Sequence, residues 1–164
     1  MIVVSDTTPV NYLILIDQIH LLKELYGRVF LPQAVYEETQ REGTPEKVRE
    51  WMSDRPEWAE VRAAAATDPA LKLGAGEREA IALAEELRAD LLLLDDGKAR
   101  REARERGLTV TGTLAVLVTA AGRGLLDLPS AIAALRQTTF RAPAGLIASI
   151  LEQHREQGPD GDAD

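Results

Sequence analysis

The sequence predicts a single α/β domain: a three-layer, doubly wound sandwich around a central, mainly parallel sheet of four to five strands. Short runs of valine, isoleucine and leucine alternate with longer stretches of helical periodicity. These runs lack polar alternation, which is typical of strands buried on both faces of a parallel sheet. Regular strand–helix alternation implies right-handed βαβ crossovers. With 164 residues, 45% of them hydrophobic, the chain is long enough for one sizeable core.

Each predicted strand is a run of three or four mostly apolar residues. The predicted strands are Ile2–Val4, Arg28–Leu31, Leu91–Leu94 and Leu108–Val110, with a weaker candidate at Glu60–Arg62. Each of the first four precedes a stretch with helical spacing, as a crossover connection requires. We see no internal repeat.

Proline, glycine and hydroxyl residues mark the helix boundaries. The Thr7 hydroxyl and Pro9 predict a helix that starts directly after the first strand, and Pro32 and Thr44 predict two further starts. These last two helices are expected to reach about Arg41 and Met52. The remaining predicted helices cover residues 74–88, 97–106, 111–123, 129–136 and 143–157.

Composition and charge narrow the class of protein. The absence of cysteine excludes disulfides and thiolate metal sites. The first six residues lack a basic n-region, and no stretch approaches the roughly 18 apolar residues of a membrane span, so we expect neither a signal peptide nor a membrane helix. We therefore expect a cytoplasmic protein without a membrane segment. The expected domain covers residues 1–155, and residues 156–164 are predicted to form a disordered acidic tail.

The net charge of −8 is the opposite of a broad basic surface for nucleic acid. Either no nucleic acid is bound, or the acidic residues are concentrated in a metal site that acts on phosphates. Three aspartates support the second interpretation by position, since Asp6, Asp95 and Asp96 directly follow predicted strands. Sites in open α/β sheets lie beyond such strand ends. Aspartate there is also a common helix N-cap.

Two glutamates on predicted helices are further candidates. Glu77 precedes Ala80 and Ala84 by three and seven residues, which places it in the apolar sector of its helix. A carboxylate there is costly unless it is paired or bound to metal, although an acid in a first turn also favours the helix dipole. Glu38 shares a helix face with Val35, and only its context distinguishes it from its neighbours.

These residues, in this order, resemble the PIN-domain family over about residues 1–150. The matching segments are Val4–Pro9, Leu31–Glu38, Gly76–Ala84 and Leu92–Asp96. The segment Asp95–Leu114 is similar to a prokaryotic branch of the family related to VapC-type toxin ribonucleases. The resemblance implies an endoribonuclease, the toxin of a toxin–antitoxin pair, that hydrolyses RNA with metal-activated water.

The resemblance implies roles for five acids. Asp6, Glu38, Glu77 and Asp95 are the implied catalytic residues, and the implied ligands of Mg²⁺ or Mn²⁺ are Asp6, Glu77, Asp95 and Asp96. Asp6 is expected at the centre with Asp95 beside it, and Glu38 and Glu77 are expected as outer or water-mediated ligands. Glu77 departs from the family, which usually has aspartate there. Because Asp96 directly follows Asp95, which of the two faces the metal stays open.

The sequence gives weaker indications of contacts to RNA and to partner proteins. Lys98, Arg101 and Arg104 recur every third residue after Asp95 and would hold phosphates, or they form a solvated face paired within the helix. The resemblance also implies an antitoxin partner and a homodimer. An apolar surplus in Thr8–Leu15 and Ile19–Tyr26 supports a contact there, and core packing explains it equally well.

Other classes of protein fit less well. A phosphoacceptor receiver carries its acidic pair on the first strand, whereas this chain has it late. A dinucleotide site would continue Gly74-Ala75-Gly76 with a glycine where Glu79 stands. The strongest alternative is a PIN-like interaction module without catalytic activity, which would not need to bind Mn²⁺.

Overall fold

The computed structural model describes residues 1–157, and within them a five-stranded, all-parallel sheet is flanked by helices. The strands are β1 (Val3–Ser5), β2 (Val29–Pro32), β3 (Ala59–Arg62), β4 (Leu91–Leu93) and β5 (Val110–Thr111). They lie in the order β3-β2-β1-β4-β5. The predicted fold class is confirmed, and the weaker candidate strand is β3.

Nine helices complete the described part of the chain. They are α1 (Thr7–Leu15), α2 (Leu21–Tyr26), α3 (Gln33–Thr39), α4 (Glu46–Ser53), α5 (Ala75–Leu87), α6 (Gly97–Glu105), α7 (Thr113–Gly122), α8 (Leu128–Arg136) and α9 (Leu146–Glu156). Several begin later than predicted. Pro32 and Pro45 are N-cap residues with extended ψ angles of 149° and 135°, so their helices start one residue further on.

The sheet buries its strands on both faces, as their composition predicts. Val3, Val4, Leu92 and Leu93 have no exposed surface. Helix α5 packs on the sheet with an alanine-rich face, and its Ala80 and Ala84 belong to the same buried cluster as Val4 and Leu92. Small side chains bring this helix close to the strand ends, which positions its first turn at the site described below.

The order of the strands reverses between β1 and β4. From β1 the chain builds outward to β2 and β3, then returns to the other side of β1 with β4 and continues to β5. Ser5 pairs with Leu93, so both strands end at the same level. The next residue, Asp6, donates its amide hydrogen to the Leu93 carbonyl over 3.0 Å. Open α/β sheets place their sites at such a switch point.

The chain divides into two compact units, the first ending at Thr113. The first contains the sheet and α1–α6. The second contains α8, α9 and nearly all of α7; its α8 is capped by Asp127, which accepts a hydrogen bond from the Ser130 amide over 3.1 Å. Apart from Glu156 and Gln157, the predicted acidic tail lies outside the described residues. Within residues 1–157, no helix has both the length and the apolar character needed to cross a membrane.

The apolar surplus of the first two helices is mostly core. Ile14, Ile16, Leu21, Leu22 and Leu25 are all buried, with Leu22 only 1% exposed. This removes the sequence support for a subunit or antitoxin contact on these helices. The homodimer and the antitoxin stay predictions from the resemblance.

Candidate metal centre

Asp6 lies at the centre of the candidate site, between the end of β1 and the start of α1. Its residue is 5% exposed, and its carboxylate makes no capping hydrogen bond to α1. Burial raises its pKa from 3.8 to about 7. The adjacent Thr7 amide lowers this pKa, while the charges of Glu77, Glu38 and Asp95 raise it. Asp6 is therefore a buried acid surrounded by other acids.

Glu38 meets Asp6 over the backbone of Gly76. A Cβ placed on Gly76 would lie 2.9 Å from Glu38 Oε2 and 3.3 Å from Asp6 Oδ1, so the two carboxylates come together where α5 has no side chain. The Thr7 hydroxyl donates to Glu38 Oε2 over 2.9 Å. The prediction that this hydroxyl caps α1 is wrong, because Thr7 is the first helical residue and its side chain orients Glu38 instead.

Glu77 has both of the roles that its sequence position suggests, as an acid in the first turn of α5 and as a partly buried acid at the site. Its Oε1 accepts a hydrogen bond from the Gly74 amide over 3.2 Å and so caps α5. It is also half-buried beside the other acids. The pKa of Glu77 is raised overall, mainly because the carboxylate is partly buried and also because Asp96 and Glu38 are negatively charged. The hydrogen bond from Gly74 and the positive charge of Lys98 lower this pKa and offset part of the shift.

Asp95 and Asp96 point to different partners. Asp95 Oδ1 accepts from the Thr113 amide over 2.8 Å, and Oδ2 accepts from the Thr113 hydroxyl over 2.6 Å. Asp95 Oδ1 also lies 2.6 Å from where a Cβ on Gly112 would be, so this contact needs a glycine there. Asp96 is exposed, and its Oδ2 accepts from the Ala99 amide over 2.9 Å as the N-cap of α6.

The acid cavity, as we call it, has a volume of about 360 Å³ and brings four predicted site residues together. Asp6, Glu38, Glu77 and Asp96 line it, whereas Asp95 does not, although Asp95 is near enough to raise the pKa of Asp6. Among the described residues that line the cavity, Arg41 is the one cation. Within residues 1–157 no three acids form a cluster with ready metal-ligand spacing. Glu77 and Asp95 each accept hydrogen bonds from the protein.

Much of the predicted basic stripe lies away from the acid cavity. The Lys98 ammonium donates to the Lys72 carbonyl over 3.1 Å, and its charge reaches Glu77. Arg101 and Arg104 are exposed on α6 and do not line the cavity. Arg41, which was not predicted, takes their place as the cation at the acids.

A larger cavity of about 640 Å³ lies at the opposite ends of β2 and β3. Its two arginines are engaged within the protein: Arg28 pairs with Glu60 over 2.9 Å, and Arg55 donates to the carbonyls of Met52 and Ala59. Size alone therefore does not identify the site. The smaller acid cavity has the unbalanced charge that calls for a ligand.

The donor set of the acid cavity fits a hard divalent cation. Carboxylate oxygens are the ligands that Mg²⁺ and Mn²⁺ prefer, and such ions tolerate water-mediated contacts. Asp6 and Glu38 already share one point of approach, and a cation there would offset the burial and the repulsion that together raise the pKa of Asp6. Asp96 and Glu77 would contribute from the rim.

Sequence reasoning missed Gly76, Thr7 and Arg41 as site residues. A glycine inside a helix costs about 1 kcal/mol relative to alanine, so Gly76 carried a usable signal: a glycine directly before an acid of the apolar face. Thr7 looked like an ordinary cap. Arg41 follows Glu38 by three residues, but it lies beyond the end of α3 at Thr39, so helix periodicity does not place it at the acids.

Comparisons with known proteins identify the family and the fold. A family model described as a PIN domain matches residues 2–156. A PilT N-terminus domain protein from the hyperthermophilic archaeon Sulfolobus solfataricus P2 has a similar structure, with 19% identity, a TM-score of 0.51, and coverage of 87% of this chain and 100% of that one. No curated protein matches the chain. PIN domains are generally nucleases that use divalent metals. The chain belongs to the PIN-domain family.

Proposed function

We propose that this protein is an endoribonuclease that hydrolyses RNA phosphodiesters with Mg²⁺ or Mn²⁺. The observation that carries the proposal is the acid cavity, where carboxylates from three other chain segments surround the buried Asp6. Such an arrangement is unfavourable without a cation, because like charges repel and burial disfavours each charged form. It is the kind of site that a divalent ion stabilises.

Each acid has a role that follows from its contacts. Asp6 and Glu38 would hold the ion directly, since their oxygens converge on Gly76. Asp96 and Glu77 would bind it at the rim of the cavity or through water. Asp95 does not line the cavity and would contribute indirectly, by holding Thr113 in place. When bound, a divalent ion polarises a phosphoryl oxygen and lowers the pKa of water. Thr7 keeps Glu38 turned toward Asp6.

The phosphate backbone needs a cation near the acids. Arg41 lines the acid cavity, and no ion pair holds its guanidinium within residues 1–157. Lys98 does not line this cavity, but its charge lowers the pKa of Glu77. Guanidinium groups bind phosphate oxygens in a bidentate manner, so Arg41 is the better candidate for the scissile phosphate. Local basic groups of this kind reconcile a net charge of −8 with an RNA substrate.

The toxin role, the antitoxin partner and the homodimer belong to the same proposal but rest on the resemblance to VapC-type toxins. Their test is expression in cells: the parent protein should arrest growth, and the Asp6→Asn variant should not. Growth unaffected by an active nuclease would remove the toxin role and leave the enzyme activity standing.

Cleavage of RNA in the presence of Mn²⁺ tests the enzyme activity. We expect cleavage that EDTA abolishes and that Asp6→Asn lowers roughly a hundredfold or more, the rate equivalent of several kcal/mol. Asp54→Asn is the matched control, since Asp54 is exposed at the opposite end of the sheet. Cleavage that survives Asp6→Asn would trace to a contaminant. If the protein neither binds Mn²⁺ nor cleaves RNA, the result would favour the alternative of an interaction module without catalytic activity.

A further inference from the structure

A second cavity of about 240 Å³ adjoins the acid cavity. It lies between α1 and the stretch that joins α3 to α4, where Thr44 lines it. Thr7, Thr8 and Glu38 line both cavities, so the hydrogen bond from Thr7 to Glu38 forms part of the wall between them. We call this second space the polar cavity.

Helix α1 turns an unusual polar face toward the polar cavity. The rest of the helix is apolar, and its Val10, Leu13 and Ile14 are buried. Thr8 and Asn11 stand three residues apart and so share a helix face. Unlike Thr7, neither has a side-chain hydrogen-bond partner within residues 1–157. Half-buried polar groups of this kind usually find a partner, and here both groups line a cavity.

The lining of the polar cavity differs from that of the acid cavity. Asn11 presents a carbonyl acceptor and an amino donor side by side, and the Thr8 hydroxyl adds an adaptable donor. The Thr44 hydroxyl donates to the Glu38 carbonyl over 3.3 Å and leaves its oxygen as an acceptor. Tyr12 adds an aromatic ring. Among the described residues that line it, the one charged group is Glu38, which is negative. A phosphate is therefore disfavoured, whereas a flat, neutral heterocycle with mixed donors and acceptors fits.

We infer that the polar cavity binds the nucleobase next to the scissile phosphate and that Asn11 reads the edge of that base. The inference rests on the proposed function, because it takes the acid cavity as the place of the phosphate. Proteins recognise single-stranded RNA through aromatic contacts and hydrogen bonds to exposed base edges. A side-chain amide can bind a base in a bidentate manner, and adenine is its best-matched partner.

Equilibrium binding of short RNAs tests the inference without cleavage. The Asp6→Asn protein is titrated with fluorescently labelled oligonucleotides that differ in one base, and anisotropy gives the affinities. We expect the ratio between the best and worst base to fall on the order of tenfold when Asn11→Ala is added, the discrimination that one amide–base contact provides. Gln18→Ala is the control, because it removes a side-chain amide that lines neither the acid cavity nor the polar cavity. It should leave the ratio unchanged.

A second variant keeps the side chain's shape. Asn11→Asp retains acceptors but loses the amino donor, so the preference should shift away from adenine and toward guanine and cytosine, whose edges present donors to a carboxylate. An unchanged ranking in both Asn11 variants, or no base preference in the Asp6→Asn protein, would overturn the inference.

Cleavage by the protein with native Asp6 separates this outcome from the proposed function. Mn²⁺-dependent cleavage with an unaltered base ranking in the Asn11 variants would leave the nuclease standing and remove the base site. Base-dependent binding that requires Asn11, without any cleavage, would support the base site and remove the proposed nuclease activity.

Discussion

Asp6 pairs a carboxylate with surroundings that favour its protonated form. Because its folded pKa is about 7 against an ordinary value of 3.8, the folded state holds a proton more tightly than the unfolded state does. The stability that this proton contributes is complete below about pH 4 and is lost as the pH rises through about 7. In EDTA, the free energy of unfolding should therefore fall over this range by on the order of a few kcal/mol.

The Asp6→Asn variant should lack most of this pH dependence and be as stable as the parent at pH 7, or more stable. An amide has no charge to desolvate, so it avoids the cost that Asp6 carries there. Urea unfolding in EDTA at several pH values measures both effects. A variant clearly less stable than the parent at pH 7 would mean that Asp6 serves mainly as a structural residue.

Gly76 is the residue that allows Asp6 and Glu38 to meet. A methyl group at Gly76 would sit 2.9 Å from Glu38 Oε2, the far end of a flexible side chain that is able to turn away. Gly76→Ala should therefore retain the fold, with a gain of up to about 1 kcal/mol in helix propensity, yet weaken Mn²⁺ binding at least tenfold. Calorimetric Mn²⁺ titration and thermal unfolding measure the two effects separately.

Gly122→Ala is the matched control for Gly76→Ala, because a Cβ there meets nothing within 4 Å. It should leave Mn²⁺ affinity unchanged. Equal Mn²⁺ affinity in parent, Gly76→Ala and Gly122→Ala would show that the approach of the two carboxylates at Gly76 is unrelated to metal.

At the scale of elements, α5 and α3 are joined by Glu79 next to the site. Glu79 Oε1 accepts from the Ala34 amide in the first turn of α3 over 2.7 Å, and Oε2 accepts from the Ala64 amide over 3.2 Å. Glu38 lies on α3 and Gly76 on α5, so this link sets the spacing of the site. Glu79→Ala should lower the free energy of unfolding by about 1–3 kcal/mol, since two amides lose their acceptor.

The same variant should weaken Mn²⁺ binding, because α3 is then free to shift relative to α5. Glu86→Ala is the control on the same helix: its Oε1 accepts from the Ala65 amide, and its residue is exposed. We expect Glu86→Ala to leave Mn²⁺ affinity unaltered. Equal Mn²⁺ affinity in Glu79→Ala and Glu86→Ala would show that the link between α3 and α5 is irrelevant to the site.

The turn between β4 and α6 assigns different tasks to its two aspartates. Asp95→Asn leaves one Thr113 donor without an acceptor and should cost about 1–3 kcal/mol of stability. Asp96→Asn keeps an equally good N-cap, so stability should change by less than about 0.5 kcal/mol. Mn²⁺ affinity should show the opposite order, with the larger loss in Asp96→Asn. The reverse order in both measurements would make Asp95 the ligand.

For the whole molecule, the fold was readable because it depends on pattern. Apolar runs without alternation require burial on both faces, and the sheet indeed buries Val4 and Leu92 completely. Parallel strands bring their carboxyl ends to one edge, which is why Asp6 and the β4 aspartates could be named from the sequence. Helix starts were displaced where a proline took an extended ψ angle, a choice that periodicity does not encode.

The site was only partly readable, because side-chain direction depends on tertiary contacts. Periodicity places Glu77 on the inner face of α5, but its hydrogen bond to Gly74 is a local competitor that spacing alone does not rank. Asp95 follows its strand as expected, yet Thr113, 18 residues later, decides where its oxygens point. Glu38 came from the resemblance, since the approach over Gly76 joins segments that lie far apart in sequence.

Crystals of the protein soaked in Mn²⁺, with anomalous diffraction used to locate the ion, test most directly whether these acids form one metal site. We expect an anomalous peak in the acid cavity, within reach of the carboxylates of Asp6 and Glu38, and no such peak in crystals of Asp6→Asn. A peak elsewhere on the molecule, or an equal peak in the variant, would contradict the account.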